Sequence, residues 1–214
     1  MNIMVRRYSS EDREAVRQIA FDTALMGRSA GLFFDGPELI KDAVTLYFTD
    51  YEPESAWVAV ADGVVVGYIT GAKDERAMNK VVLTKVLPQL VVELLRSGVL
   101  LKKKNWELVQ GVFKGFLKGE LSRPDLYEKY PAVLHINLKD AFRRSGAGTA
   151  LIKALIDDFS RAGVKGVRLG TMSDAGAAFF RKNGFTLLFS GRVSFLSEAA
   201  GHDVPSYLFG RELS

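Results

Sequence analysis

Arg143-Arg144-Ser145-Gly146-Ala147-Gly148-Thr149 joins the apolar run Val133-Leu134-His135-Ile136-Asn137-Leu138 to a segment, about Ala147 to Ala162, whose apolar residues recur at helical spacing. A Gly-containing turn between a strand and a helix is a ready anion cradle. Gly146 and Gly148 let the main chain approach an oxyanion, and the first-turn N–H groups carry the positive end of the helix dipole. Arg143 and Arg144 add charge-assisted donors. The loop is neither of two common nucleotide loops: G-x-x-x-x-G-K-[ST] is absent, and Leu151 or Ile152 occupies the last glycine site of G-x-G-x-x-G.

Composition narrows what such a cradle serves. The chain has 214 residues, 48% of them hydrophobic and 25% charged, which is the mixture of a globular domain. With 29 Lys and Arg against 25 Asp and Glu, the net charge is only +4. No cysteine is present, which removes disulfides, thiol nucleophiles and thiolate metal sites. The two histidines, His135 and His202, lie far from metal-ligand spacing, and no G-x-S-x-G elbow accompanies them, so no metal and no triad hydrolase is expected. The first residues lack a signal-peptide pattern, and Lys85, Pro88, Glu93 and Arg96 interrupt the longest greasy stretch. A cytoplasmic protein with no membrane partner is the expectation.

Outward from the loop, Ile3–Arg6 reads as a strand and Ser9 with Asp12 as a capping box for the first helix, with a second helix over 37–48. Residues 56–60 and 64–69 alternate as a hairpin around Asp62-Gly63. Residues 74–130 change character and read as helices over 80–96 and 105–117, broken at Pro88, Gly98 and Gly119. After Val133–Leu138 come a helix, a strand at 167–169, a helix over 175–182, and closing strands within 185–195 and 207–209.

The loop resembles motif A of the GNAT superfamily of N-acetyltransferases, [QR]-x-x-G-x-[GA], matched by Arg143, Gly146 and Gly148. Ser173, Gly176, Phe179, Phe180, Lys182, Gly184 and Phe185 fall on the family's later pattern N-x-x-A-x-x-F-Y-x-K-x-G-F. The resemblance spans about residues 3–73 and 131–214. It implies an α/β (α+β) fold: one domain over 1–214 with a mixed, mostly antiparallel sheet flanked by helices and a helical insertion, 74–130, between the third and fourth strands. It also implies acetyl-CoA as co-substrate. The backbone of Ile136, Asn137 and Leu138 would hold the pantetheine arm, and Arg143, Arg144, Ser145, Gly146, Ala147, Gly148 and Thr149 the phosphates. Ser173, Phe180 and Lys182 would complete the cofactor contacts, so that the small positive surplus faces CoA.

Some bacterial members read P-A-H-L-H-I-D-L before motif A, where this chain has Pro131-Ala132-Val133-Leu134-His135-Ile136-Asn137-Leu138. The family's tyrosine acid falls on Phe180, which has no proton to give, leaving Tyr207 or Tyr68 as donors, or an unaided thiolate departure. Positions where relatives carry a base are Ala132, Leu134 and Arg168. His135 leads as base because an ordinary imidazole titrates near pH ~6.5, with a structural role as the alternative. Lys102-Lys103-Lys104 reads as a solvated face and not a nucleic-acid site, and His202 as a turn residue. The expected activity is direct acetyl transfer to a primary amine of a small molecule by a monomer or homodimer. A non-catalytic acyl-CoA-binding module and a protein N-acetyltransferase are the alternatives. The insertion is expected to cover the substrate side, with Phe33, Phe34, Tyr47 and Tyr51 on the other wall.

Overall fold

The computed structural model describes residues 3–213. Seven strands form one sheet in the order β1-β2-β3-β4-β5-β7-β6. They are β1 (Ile3–Arg7), β2 (Ala56–Ala61), β3 (Val64–Ala72), β4 (Ala132–Leu138), β5 (Gly166–Thr171), β6 (Thr186–Val193) and β7 (Val204–Glu212). Every neighbouring pair is antiparallel except β4 and β5. The β2–β3 hairpin turns where Asp62 (φ 49°) and Gly63 (φ 81°) both take left-handed conformations, the geometry that matches strand twist.

Side chains alternate between two layers because successive strand residues point to opposite faces. On one face α6 (Ala147–Arg161) sets Leu151, Ile152, Leu155, Ile156 and Phe159 against Ile69, Leu134 and Val167, joined by Ala177 and Phe180 of α7 (Asp174–Lys182). Each buried large side chain stabilises by about 1.5–3 kcal/mol relative to exposure. On the other face α1 (Arg13–Thr23) packs Val16, Ile19 and Ala20 on Val58, Val60 and Tyr68, with α2 (Pro37–Asp50) alongside. The first helix begins as its sequence says: Ser9 and Asp12 form a capping box, and Arg6 holds Asp12 at 2.6 and 2.7 Å.

The insertion differs from its expected form. Helix α3 (Glu75–Val81) runs through a wide π turn, Val82–Val86, into α4 (Leu87–Ser97), and a second rod, α5 (Lys103–Leu117), follows a left-handed Gly98. The expected break at Pro88 does not occur. Proline lacks an N–H and crowds the carbonyl four residues earlier, and the wider turn just before it relieves both. Val86, in that turn, is buried against Leu46, Tyr47 and Ala72. A short helix, α8 (Ser197–Ala200), separates the closing strands. No helix among the described residues is long and apolar enough to cross a membrane.

Candidate active site

The parallel pair is where the sheet opens. Only Ala132 and Val133 pair with Val167 and Arg168, although β4 runs on to Leu138 and β5 to Thr171. Beyond Val133 the two strands diverge and leave a gap. Its closed end is clamped by the ion pair of Arg168 with Glu75, whose own N–H donates to Pro131. On its far side β4 pairs with β3 from Val133 to Leu138. The Lys139 N–H donates to Val66 at 2.9 Å, so the alternation of an antiparallel ladder turns the backbone groups of Asn137 and His135 toward β3. Leu134, Ile136 and Leu138 therefore turn their N–H and C=O groups into the gap. Backbone binding by Ile136 and Leu138 fits this geometry. Asn137 is a correction, because it offers the site its side chain and not its backbone.

Past Leu138 the chain enters the anion loop. Arg144 (φ 64°) and Gly146 (φ 89°) are both left-handed, and Gly146 begins α6 without a side-chain cap. The Ser145 hydroxyl donates to Phe142 O at 2.7 Å and accepts from the Ala147 N–H at 3.3 Å, which fixes the loop. The two glycines have different physical reasons. A side chain at Gly146 would meet open space but could not easily take its φ, whereas a Cβ at Gly148 would lie 2.9 Å from the Phe179 ring. Gly148 thus serves close packing of α6 on α7. Thr149 is exposed in the first turn, and Lys182 is exposed one turn beyond Phe179. The Arg143 guanidinium lies against the Gly27 turn and pairs with the exposed Asp140 at 3.2 Å.

The remaining cofactor candidates do local work. Ser173 caps α7, its hydroxyl accepting from the Gly176 N–H at 3.0 Å. Phe180 is buried among Phe179, Phe185 and Phe209 at centroid distances of 5.2, 5.8 and 6.1 Å. It is a core residue, not a gap-lining one.

On the α1 side of the gap three polar side chains meet. Asn137 donates to the Tyr68 hydroxyl at 3.1 Å, and that hydroxyl lies 3.2 Å from His135 Nδ1. Tyr68 is fully buried, and its hydroxyl links the Asn137 amide to His135 Nδ1, while Asn137 Nδ2 also lies 3.5 Å from His135 Nε2. Burial holds the Tyr68 phenol protonated far above its usual range and lowers His135 to about 4, since a dehydrated ring resists charge. His135 is half-buried, neutral at physiological pH and already bonded through Nδ1, a poor arrangement for the expected base. Tyr207, one strand beyond the gap on β7, donates to Asp174 at 2.7 Å. That carboxylate raises the phenol's pKa and engages its proton. His202 is an exposed turn residue bonded to Asp203 O.

Asn105, unread in the sequence, and Lys104, expected on a solvated face, tie the insertion to the segment 31–35. Asn105, fully buried, donates to Val99 O at 2.7 Å and to Asp35 O at 3.3 Å and accepts from the Asp35 N–H at 2.7 Å. Lys104 reaches Gly31 O and the Asp35 carboxylate at 3.0 and 2.8 Å. A polar residue set in the apolar stripe with Leu108 and Val112 is the signal that marks such a pin. Phe33 packs beneath this seam with Leu25 and Leu196, whereas Tyr47 and Tyr51 join a separate cluster under α4. The four aromatics do not form one wall. Among the described residues no group of three or more His, Asp or Glu side chains is placed to hold a metal ion.

A search of curated protein sequences found no match. Solved structures share the fold over the whole length. SsHAT is 24% identical with a TM-score of 0.73, each chain covered over 100%. The putative acetyltransferase yncA of Salmonella typhimurium, solved with acetyl-CoA, is 15% identical with a TM-score of 0.59 over 99% of this chain and 94% of its own. The polyamine N-acetyltransferase of Drosophila melanogaster is 14% identical with a TM-score of 0.62 over 99% and 100%. The sequence profile described as the Acetyltransferase (GNAT) family matches residues 28–185, well over half of the chain. With the split strand pair, the uncapped α6 and this match in hand, the chain belongs to the GNAT family and is an acyltransferase.

Proposed function

We propose that the protein transfers an acetyl group from acetyl-CoA directly to a primary amine of a small molecule. One observation carries the reading: the β4–β5 ladder stops after two residue pairs, and the strand thus left open leads straight into the α6 N-terminus. When bound, acetyl-CoA supplies an acyl group on a thiolate leaving group. Leu138 and Ile136 hold the pantetheine arm through their gap-facing backbone, and the first-turn amides of α6, with Arg144 and Lys182, face the phosphates. A backbone N–H of β4 directed at the thioester oxygen stabilises the oxyanion, usually the largest electrostatic contribution in acyl transfer.

The acceptor enters from the α1 side, where His135 and the Asn137 amide orient it. The ring nitrogens of His135 face the Tyr68 hydroxyl and the Asn137 amide, so neither is placed to take its proton. The amine therefore attacks as its free base, and the rate rises with pH along the amine's own ionisation. Tyr207 donates its hydroxyl to Asp174, so the thiolate leaves without it, the C–S bond breaking as the C–N bond is kept, and the proton shed by the amine nitrogen passes through water to the departed thiolate. Zero cysteine removes a cysteine-borne acyl-enzyme. A small acceptor is supported by fold relatives named for polyamine and agmatine acetylation.

The test pairs a CoA thermal shift with amine-dependent thiol release over polyamines, amino acids, amino sugars and peptides. Stabilisation by CoA with turnover on a small amine is expected. Stabilisation without turnover on any amine would turn the assignment to an acyl-CoA-binding module, a reading favoured by Phe180 in the acid position. Turnover confined to peptides would turn it to protein acetylation.

A further inference from the structure

Two properties that the rest of the molecule keeps in balance are concentrated in the insertion. Residues 74–130 hold eleven Lys and Arg against seven Asp and Glu, so the whole net charge of +4 sits there and the remaining residues balance at eighteen of each sign. Between Lys80 and Lys118 the contrast sharpens to eight basic residues against Glu93 and Glu107. Of the sixteen large apolar side chains exposed among the described residues, twelve belong to the same insertion.

Their placement is ordered. On α5 the residues turned inward are Asn105, Leu108, Gly111 and Gly115, the two glycines letting the helix approach Phe195. Trp106, Val109, Phe113 and Phe116 recur at spacings of three and four on the opposite side and stay exposed, Phe116 at 66%. On α4 Leu87, Val91 and Leu95 recur every fourth residue, Leu95 at 70%. At the corner between the rods, Leu101 is 92% exposed and is followed directly by Lys102-Lys103-Lys104. Lys104 is spent on Asp35, but Lys102 and Lys103 remain outward.

An exposed apolar surface of this extent calls for a partner, and its charge selects which. A second copy would set one basic insertion against another. A nucleic acid would match the charge but not the aliphatic stripes. An anionic bilayer matches both, because apolar side chains enter the acyl boundary while lysines stay with the headgroups. We propose that the outward faces of α4 and α5 seat the protein peripherally on anionic lipid membranes, with Leu101 entering at the corner between the two helices and Lys102 and Lys103 beside the headgroups. This proposal departs from the sequence expectation of no membrane partner.

The test is flotation of the full chain with vesicles of phosphatidylcholine alone or mixed with phosphatidylglycerol, at low and high salt, with Trp106 emission read in parallel. Binding to the mixed vesicles only, weakened by salt, with a blue shift that Trp106→Phe removes, is expected. Replacing Lys102 and Lys103 by Ala lowers partitioning on the order of tenfold or more, from about 1 kcal/mol per lysine near the surface. Leu101→Asp lowers it as well. No partitioning onto the anionic vesicles at low salt, or a concentration-dependent dimer that shields Trp106 from a soluble quencher, would overturn the proposal, the latter in favour of a second copy. The CoA thermal shift of these variants stays at its wild-type value, so its failure would speak against acetyl transfer and not against this surface.

Discussion

The sheet and the insertion draw on the same kinds of residue and place them oppositely. Around the sheet, Leu151, Leu155 and Phe159 of α6 are fully buried and charges cancel; in the insertion, Leu95, Phe113 and Phe116 face outward and the charge does not cancel. The difference teaches that helical periodicity reports which residues share a face, not which face meets the core. α5 carries two apolar-compatible faces, and Gly111 and Gly115 decide the inward one by admitting Phe195.

The largest expected effect lies in the body. Gly146→Val forces a branched side chain into a left-handed conformation at the start of α6 and is expected to weaken CoA binding by about 100-fold, checked by titration calorimetry, through misdirected first-turn amides. Wild-type affinity in that variant would break the assignment of the loop. Next comes Phe180→Ala, a cavity amid three other phenylalanines, expected to cost about 3–5 kcal/mol in denaturant unfolding. A cost near zero would mean that Phe180 faces the gap after all.

At the seam, Asn105→Ala leaves the Asp35 N–H and C=O without the Asn105 side chain and the Val99 carbonyl with the Lys102 N–H alone, and is expected to cost about 2 kcal/mol, with hydrogen exchange rising across 30–36 and 99–105. Acidification probes the acceptor side. The His135 pKa is lower in the folded chain, about 4, than the ordinary ~6.5, so the unfolded chain binds the extra proton between those values. Stability is thus full above about pH 6.5 and falls as pH drops toward 4. His135→Gln should remove a few °C of that acid-dependent loss in melting temperature, the scale of about 1 kcal/mol in a chain this long. The smallest effect belongs to the insertion's outer face. Leu95→Ser should change stability by less than about 0.5 kcal/mol, because nothing covers that side chain in the free protein.

Much of the fold was legible because its signals are local. The hairpin at Asp62-Gly63, the capping box at Ser9 and Asp12 and the long helix after Gly146 each rest on residues within a few positions of one another. The site was legible only in outline. Motif A marks the loop, yet Arg143 folds back on Gly27, more than a hundred residues earlier in the chain, and Asn137 loses its backbone to β3 through a register that no single strand encodes. The continuous helix through Pro88 escaped because a π turn upstream is a backbone adjustment and not a residue pattern.

By itself, then, the sequence determined the family, the strand-loop-helix that carries the anion cradle, and the exclusion of cysteine chemistry, since these depend on residue identity and short-range spacing. The tertiary structure decided that β4 and β5 part after two residues, that Tyr68 and Asn137 meet His135 across two strands, and that the apolar side of α5 faces outward. The reason is common to all three: strand register, dehydration and helix facing are set by residues distant in the chain, and only packing brings them into contact.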